Sequence, residues 1–294
     1  MLTEQQVSNF HRDGFLNAGR LLEDAEVQRL SDDLDRIIAI GPKGFESEAR
    51  RPVKFGDIYG GTGGGTGGGT NTVWQIVNVW EASPQFEQLI YHPLIVEATS
   101  QLTGFRDLQV WHDQVQYKPP TDGGSTTWHQ DAPLWPSIEP MTPVSAWIPF
   151  DDASVENGCM WMVPGSHEWG NQIEYLRGRD DLVEIDEFGR IGEDFEPAGG
   201  GPKPGIRAVP CPVQRGEVHF HHSLTWHGSP KNHSTRPRRA LAIHYMTSEA
   251  VFTGRDHVMR QFIGVDVGER MLDAGDHFPI VCRNGEAVAA PATA

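Results

Sequence analysis

From Phe105 onward the chain breaks into short segments rich in Val, Trp, Ile and Tyr, each closed by a cluster of turn-forming residues. LQVWHDQVQYK, PVSAWIPF, GCMWMV, IRAVPC, EVHFHH and RRALAIHYM succeed one another in this way. Aromatic and β-branched side chains fit a pleated, half-buried surface, and short strands separated by turns build sandwiches or barrels rather than βαβ units. The first 104 residues read differently. Thr3 and Gln6 have capping-box spacing. Val27, Leu30, Leu34, Ile37 and Ile38 recur with a helical period that Gly41-Pro42 stops. Ser83-Pro84 and Pro93 open two further helices, the last ending near Gly104. The chain therefore reads as one domain over 1–294, mainly β with flanking helices. A mostly helical part over 1–104 precedes a β core over 105–250, which carries an insertion at 168–205 and is followed by an extension over 251–294.

Two segments depart from this texture. Residues 60–69, GGTGGGTGGG, contain a G-x-G-x-x-G match, but no strand-to-helix context surrounds it, and a loop is the reading. Glu174 to Glu196 holds nine acidic residues against three basic ones. It reads as a solvated surface insertion, with a lid over a site as the alternative.

The formal charge of −16 disfavours nucleic acid and anionic membranes as partners. No apolar run is long enough to span a bilayer, and the opening MLTEQQVSNFHRDGF lacks the sections of a secretory signal. Cys159, Cys211 and Cys282 are odd in number and widely spaced, which argues against a disulfide framework and a Cys-rich zinc site. A cytoplasmic location is expected, and a homo-oligomer is compatible with the sequence.

His129-Gln130-Asp131 is the triplet that suggests chemistry. In an extended segment, residues two apart project to the same side, so imidazole and carboxylate could share one metal. Two imidazoles and one carboxylate on one face form the ligand set of non-heme Fe(II) oxygenases. Short motifs recur by chance, and His11-Arg12-Asp13 is such a recurrence, better explained by capping or surface duty. The second imidazole could come from His219, His221, His222, His227 or His233, which crowd one stretch. Such a cluster is also compatible with zinc or nickel, although no HExxH pattern joins it. Arg238 follows His227 by eleven residues, where it could dock a dicarboxylate.

Three blocks taken together, WHQD, WIPFDDASVENGCMWMVPGSH and WHGSPKNHSTRPRRALAIHYM, resemble the phytanoyl-CoA dioxygenase family of Fe(II)/2-oxoglutarate oxygenases. The opening FHRDGFL is similar to that family's N-terminus. The resemblance implies a double-stranded β-helix, a cupin-like jelly roll whose two sheets enclose the metal. It implies His129, Asp131 and His227 as catalytic iron ligands. Arg238 would bind the distal carboxylate of 2-oxoglutarate with Ser229 as helper, and Trp147 and Gln114 would line the same pocket. Arg236 and Arg239 compete for the salt bridge, but Arg239 is one residue away on a strand and should point to the other side. His167 is not expected to be a ligand, and Trp111, Trp135 and Trp226 could wall the substrate pocket but are better read as core.

The implied reaction consumes O2 and 2-oxoglutarate and oxidises an unactivated carbon of a small organic molecule, releasing succinate and CO2. A halogenase of the same fold would need the carboxylate ligand replaced, which Asp131 disfavours, and a non-catalytic 2-oxoglutarate or metal-binding protein is the remaining alternative. Trp74, Gln75 and Trp135 are the expected substrate contacts. Loop 60–72, the 168–205 insertion and the segment from Phe252 to Val281 are expected as lids or walls.

Overall fold

The computed structural model describes residues 1–46, 48–58, 72–121, 123–140, 143–179, 181–196 and 205–292. Its strands are β1 (Phe15–Arg20), β2 (Lys54–Asp57), β3 (Trp74–Val77), β4 (Leu108–Lys118), β5 (Thr126–His129), β6 (Ile138–Glu139), β7 (Val144–Pro149) and β8 (Met160–Met162). They continue with β9 (Val209–Cys211), β10 (Glu217–His222), β11 (His227–Ser229), β12 (Arg238–Thr247), β13 (Val251–Phe252), β14 (Ile280–Arg283) and β15 (Glu286–Ala287). The α-helices are α1 (Glu4–Asp13), α2 (Asp24–Gly44), α3 (Val79–Ala82), α4 (Pro84–Ile90), α5 (Pro93–Thr103), α6 (Ile173–Leu176) and α7 (Ile185–Phe188).

A large antiparallel sheet runs β1-β10-β7-β12-β4-β14-β15, extended from β4 by β3 and then β2. A smaller sheet runs β5-β11-β8-β9. Side chains from both sheets line one cavity between them, which is the jelly-roll arrangement. Alternation along β12 shows how the sequence achieves this. Leu241, Ile243 and Tyr245 face outward and bury completely with α2, α4 and α5, whereas Ala240, Ala242 and His244 face inward. Large apolar residues on one face hold the helices, each contributing about 1.5–3 kcal/mol when fully buried. Small ones on the other leave room for a cavity. β7 repeats the pattern, with Ala146 and Ile148 under the helices and Trp147 in the cavity wall.

The predicted helix signals are present. Thr3 and Gln6 form a reciprocal capping box, Ser83 caps α4 with Pro84 in its first turn, and α5 ends on left-handed Gly104. Gly41 breaks the regular geometry of α2 at φ 67° and ψ 172°. The 1–104 part also holds three short strands, β1, β2 and β3. β1 forms because left-handed Gly14 ends α1 and turns FLNAGR alongside β10, where pairing overrides the local pattern.

The acidic insertion is not a solvated excursion. Leu176, Leu182, Phe188, Ile191 and Phe195 bury against Trp128 and Trp226 of the smaller sheet's region, forming a second apolar cluster. Its charges stay outside, with Arg179 paired to Asp194 and Arg177 to Glu174. The expected loop over 60–72 lies outside the described residues except for Thr72, which bridges to Gly123. No helix among the described residues is long and apolar enough to cross a membrane.

Candidate active site

His129 ends β5 and His227 begins β11, and the two are direct partners across that antiparallel pair. Asp131 follows two residues beyond His129, where the strand gives way to a short turn. One ligand atom from each of His129, Asp131 and His227 lies within 4.8 Å of the others. Asp131 Oδ1 is 3.5 Å from Nε2 of both imidazoles.

The ring orientations are fixed from behind. His129 Nδ1 lies 2.8 Å from the Thr127 carbonyl and His227 Nδ1 lies 2.9 Å from the Thr225 carbonyl. A carbonyl only accepts, so both Nδ1 atoms carry the hydrogen, and the neutral rings turn Nε2 lone pairs toward Asp131. Three electron-pair donors converging in a buried place are mutually repulsive until a cation sits among them. The residues therefore fit a divalent metal, which one carboxylate and two imidazoles would hold. Burial would push the Asp131 carboxyl up, but the surrounding imidazoles of His227, His129 and His221 outweigh it and hold it well below the usual range.

Two residues that the sequence reading had not assigned hold the carboxylate. His221 Nε2 donates to Asp131 Oδ2 at 2.9 Å, and the Ser145 hydroxyl donates to the same oxygen at 3.3 Å. Ser145 in turn receives His244 Nδ1–H at 2.7 Å. Oδ2 is thereby occupied and Oδ1 alone faces the two histidines. The inward alternation of β10 placed His219 and His221 together, with rings 6.4 Å apart, but no sequence signal tied His221 to Asp131, ninety residues away. We expect His221→Phe to weaken Mn(II) binding, read by calorimetry, by about tenfold or more. His221→Gln, which retains a donor, should recover part of the loss. Unchanged Mn(II) affinity in a folded His221→Phe protein would show that Asp131 needs no such support.

Arg238 is fully buried behind the cavity. Its guanidinium reaches the Ser229 hydroxyl and the Gln116 carbonyl, each at 3.4 Å, and lies 5.8 Å from the centre of the Trp147 ring. No ion pair joins it to a carboxylate among the described residues, and its Nε has no partner. Burial lowers its pKa to about 10, partly offset by Cys159 and Asp151, so it remains charged at neutral pH. Buried Lys118 donates to the carbonyls of Ser229 at 3.0 Å and Pro230 at 2.6 Å, fixing the end of β11. Arg239 points to the other side, as alternation predicts, and pairs with Asp151 and Asp35. Arg236 lies with Arg239 on that outer side.

The cavity at the three ligands is walled by Gln114, Trp147, Met160, Ser229 and Ala242. A larger cleft shares Gln114, Gln116, Thr126, His129 and Asp131 with it. Gln75 and Trp135 line that cleft, as do Ile173 and Arg177 from the insertion and His257 and Val258 from the C-terminal segment. Trp74 does not line it. Being one residue from Gln75 on β3, it faces the helices and packs edge-on to Phe55, with ring centres 5.7 Å apart. Trp111 stacks on Phe278 and Trp226 packs against Phe195, both as core residues. His167 meets the His11 carbonyl at 3.1 Å and takes no part in the ligand cluster.

A model of the phytanoyl-CoA dioxygenase (PhyH) family matches residues 10–240. Mouse phytanoyl-CoA dioxygenase domain-containing protein 1 is 34% identical over 164 residues, covering 55% of this chain and 53% of that protein. The chain thus spans about half the length of the first curated relatives it matches. Peroxisomal phytanoyl-CoA dioxygenase of Rattus norvegicus is 23% identical over 316 residues, covering 96% of this chain and 82% of that one. Among solved structures, the non-heme alpha-ketoglutarate dependent carbocyclase SnoK from nogalamycin biosynthesis superposes with a TM-score of 0.68 at 24% identity, over 95% of this chain and 96% of that one. EctD from S. alaskensis with bound Fe superposes with a TM-score of 0.63 at 18% identity, over 85% and 79% respectively. These structures share the fold. On the match across residues 10–240, the chain belongs to the phytanoyl-CoA dioxygenase family.

Proposed function

We propose that the protein is a non-heme Fe(II)- and 2-oxoglutarate-dependent oxygenase that hydroxylates, or otherwise oxidises, an unactivated carbon of a small organic molecule. The observation that carries this reading is a pairing of two features across one cavity. Three metal-ligating side chains, His129, Asp131 and His227, converge at one end of it, and the buried Arg238, which has no carboxylate partner among the described residues, lies behind the other. Fe(II) held by His129, Asp131 and His227 would supply the activation of O2 coupled to oxidative decarboxylation of 2-oxoglutarate to succinate and CO2.

The chain's own residues do the rest. Arg238 offers a planar fork of donors to the distal carboxylate, and Ser229 adds a hydroxyl to the same end. Trp147 and Met160 give the cosubstrate an apolar wall that excludes water, while Gln114 can hydrogen-bond its polar parts. His221 and Ser145 keep the Asp131 oxygen that is not a ligand from swinging inward. Halogenation is disfavoured because Asp131 supplies the carboxylate that a halide would have to replace.

Anaerobic protein given Fe(II) and 2-oxoglutarate should develop a weak visible charge-transfer band. A folded protein that shows no band under these conditions would speak against the assignment.

A further inference from the structure

The cleft next to the ligand cluster has a wall whose polar atoms are short of partners. Among the described residues no hydrogen bond of good geometry reaches either ring nitrogen of His112, which is 2% exposed, or the Thr126 hydroxyl. His112 is held in place rather than loose. Its ring stacks on His257 at 5.5 Å and meets Trp135 edge-on at 5.5 Å. His257 Nδ1 accepts the Met259 N–H at 3.2 Å, so the neutral ring carries its hydrogen on Nε2 and offers a donor. Burial keeps His257 neutral, with its pKa lowered to about 4.

A second strip of donors flanks this pair. Lys54 donates to the Gln75 side-chain oxygen Oε1 at 3.0 Å, and the Gln75 side-chain NH2 donates to Gln114 Oε1 at 2.8 Å. The Gln114 oxygen is spent, which leaves its NH2 for a ligand. The charge of the strip also runs against the whole molecule. In a chain of net charge −16, the described lining of the cleft holds Lys54 and Arg177 but no carboxylate except Asp131.

We propose that this wall, built around His112 and His257 with Gln75 and Lys54 beside it, is the substrate subsite. It takes a small polar molecule that carries hydroxyl or carbonyl oxygens and a carboxylate, not an aliphatic acyl chain. The inference rests on the iron and 2-oxoglutarate reading above. Buried polar atoms in native proteins are almost always paired, and an orphaned imidazole lining a cleft implies a partner that enters it. A hydrocarbon chain lying on His112 and Thr126 would leave their buried polar atoms without partners. A hydroxylated ring on the face of Trp135 would pair with them, and its carboxylate would lie toward Lys54.

The test uses anaerobic protein loaded with Fe(II) and 2-oxoglutarate, titrated with cyclic hydroxycarboxylic acids (quinate and shikimate among them) and with palmitoyl-CoA. Binding is followed through perturbation of the visible band. The hydroxy acids should perturb it and palmitoyl-CoA should not. His112→Leu should weaken hydroxy-acid binding by about tenfold, the equivalent of one lost hydrogen bond, and His112→Gln should weaken it less. Palmitoyl-CoA binding the wild-type protein more tightly than the hydroxy acids would overturn the proposal. So would a His112→Leu protein with unchanged affinity for them. Absence of the band before any titration counts against the iron and 2-oxoglutarate reading, so the two failures are told apart.

Discussion

Asp131→Ala and His227→Ala should each abolish succinate formation, and should do so by losing the metal rather than the fold. Asp131 carries the only negative charge among the three ligands, and without it two neutral imidazoles remain to hold a divalent cation. The substitution also removes the acceptor that His221 and Ser145 share, leaving two buried donors unpaired at about 1–3 kcal/mol each. That cost is bearable in a domain of ordinary stability. Far-ultraviolet circular dichroism should therefore remain native while Fe(II) content falls to background. His227→Ala removes a ligand from the middle of the β5–β11–β8 pairing but no backbone hydrogen bond, so its fold should also persist. Wild-type turnover in either variant would mean that other residues hold the metal.

The second large effect is expected at Arg238. Arg238→Met keeps most of the side-chain volume and removes the charge. Loss of a charge-assisted contact is worth roughly 1.5–3 kcal/mol, so the 2-oxoglutarate KM should rise by about ten- to a hundredfold. Thermal stability of the cosubstrate-free protein should not fall, because replacing a buried ion that has no counter-ion with an apolar group is often neutral or stabilising. Lys118, buried beside Arg238 and held well below its usual pKa by burial and then by the Arg238 charge, strengthens that expectation. A raised KM with an unchanged or higher Tm separates anion binding from structural support. An unchanged KM would mean that Arg238 does not hold the cosubstrate carboxylate.

The elements with strong local signals were legible in the sequence. The capping box at Thr3, the caps at Ser83 and Gly104, and the alternation of RRALAIHYM depend on neighbours within a turn or a strand. The pair His129 and Asp131 was readable for the same reason. β1 and β3 were not, since FLNAGR and WQIV become strands only by pairing with β10 and β4, far along the chain. Choosing Gln75 over Trp74 needed the register of β3, in which a shift of one residue exchanges the two faces. His221, Ser145 and His244 escaped because their roles exist only where β7, β10 and β12 lie side by side. The insertion misled by composition: its acidic residues are the exposed half of a segment whose aromatic and aliphatic half is core.

His11-Arg12-Asp13 gives the discarded triplet a different importance. Arg12 and Asp13 pair with each other at the surface, and the consequence comes from the residue that follows. The Gly14 carbonyl accepts the His222 N–H at 2.7 Å and the Thr225 hydroxyl at 2.8 Å. Thr225 is the residue whose own carbonyl orients His227. A β-carbon at Gly14 would lie 2.5 Å from that Thr225 hydroxyl. The N-terminal helix thus serves as a keystone for the loop that carries His227, and trimming or altering it should edit the proposed iron site from a distance of two hydrogen bonds.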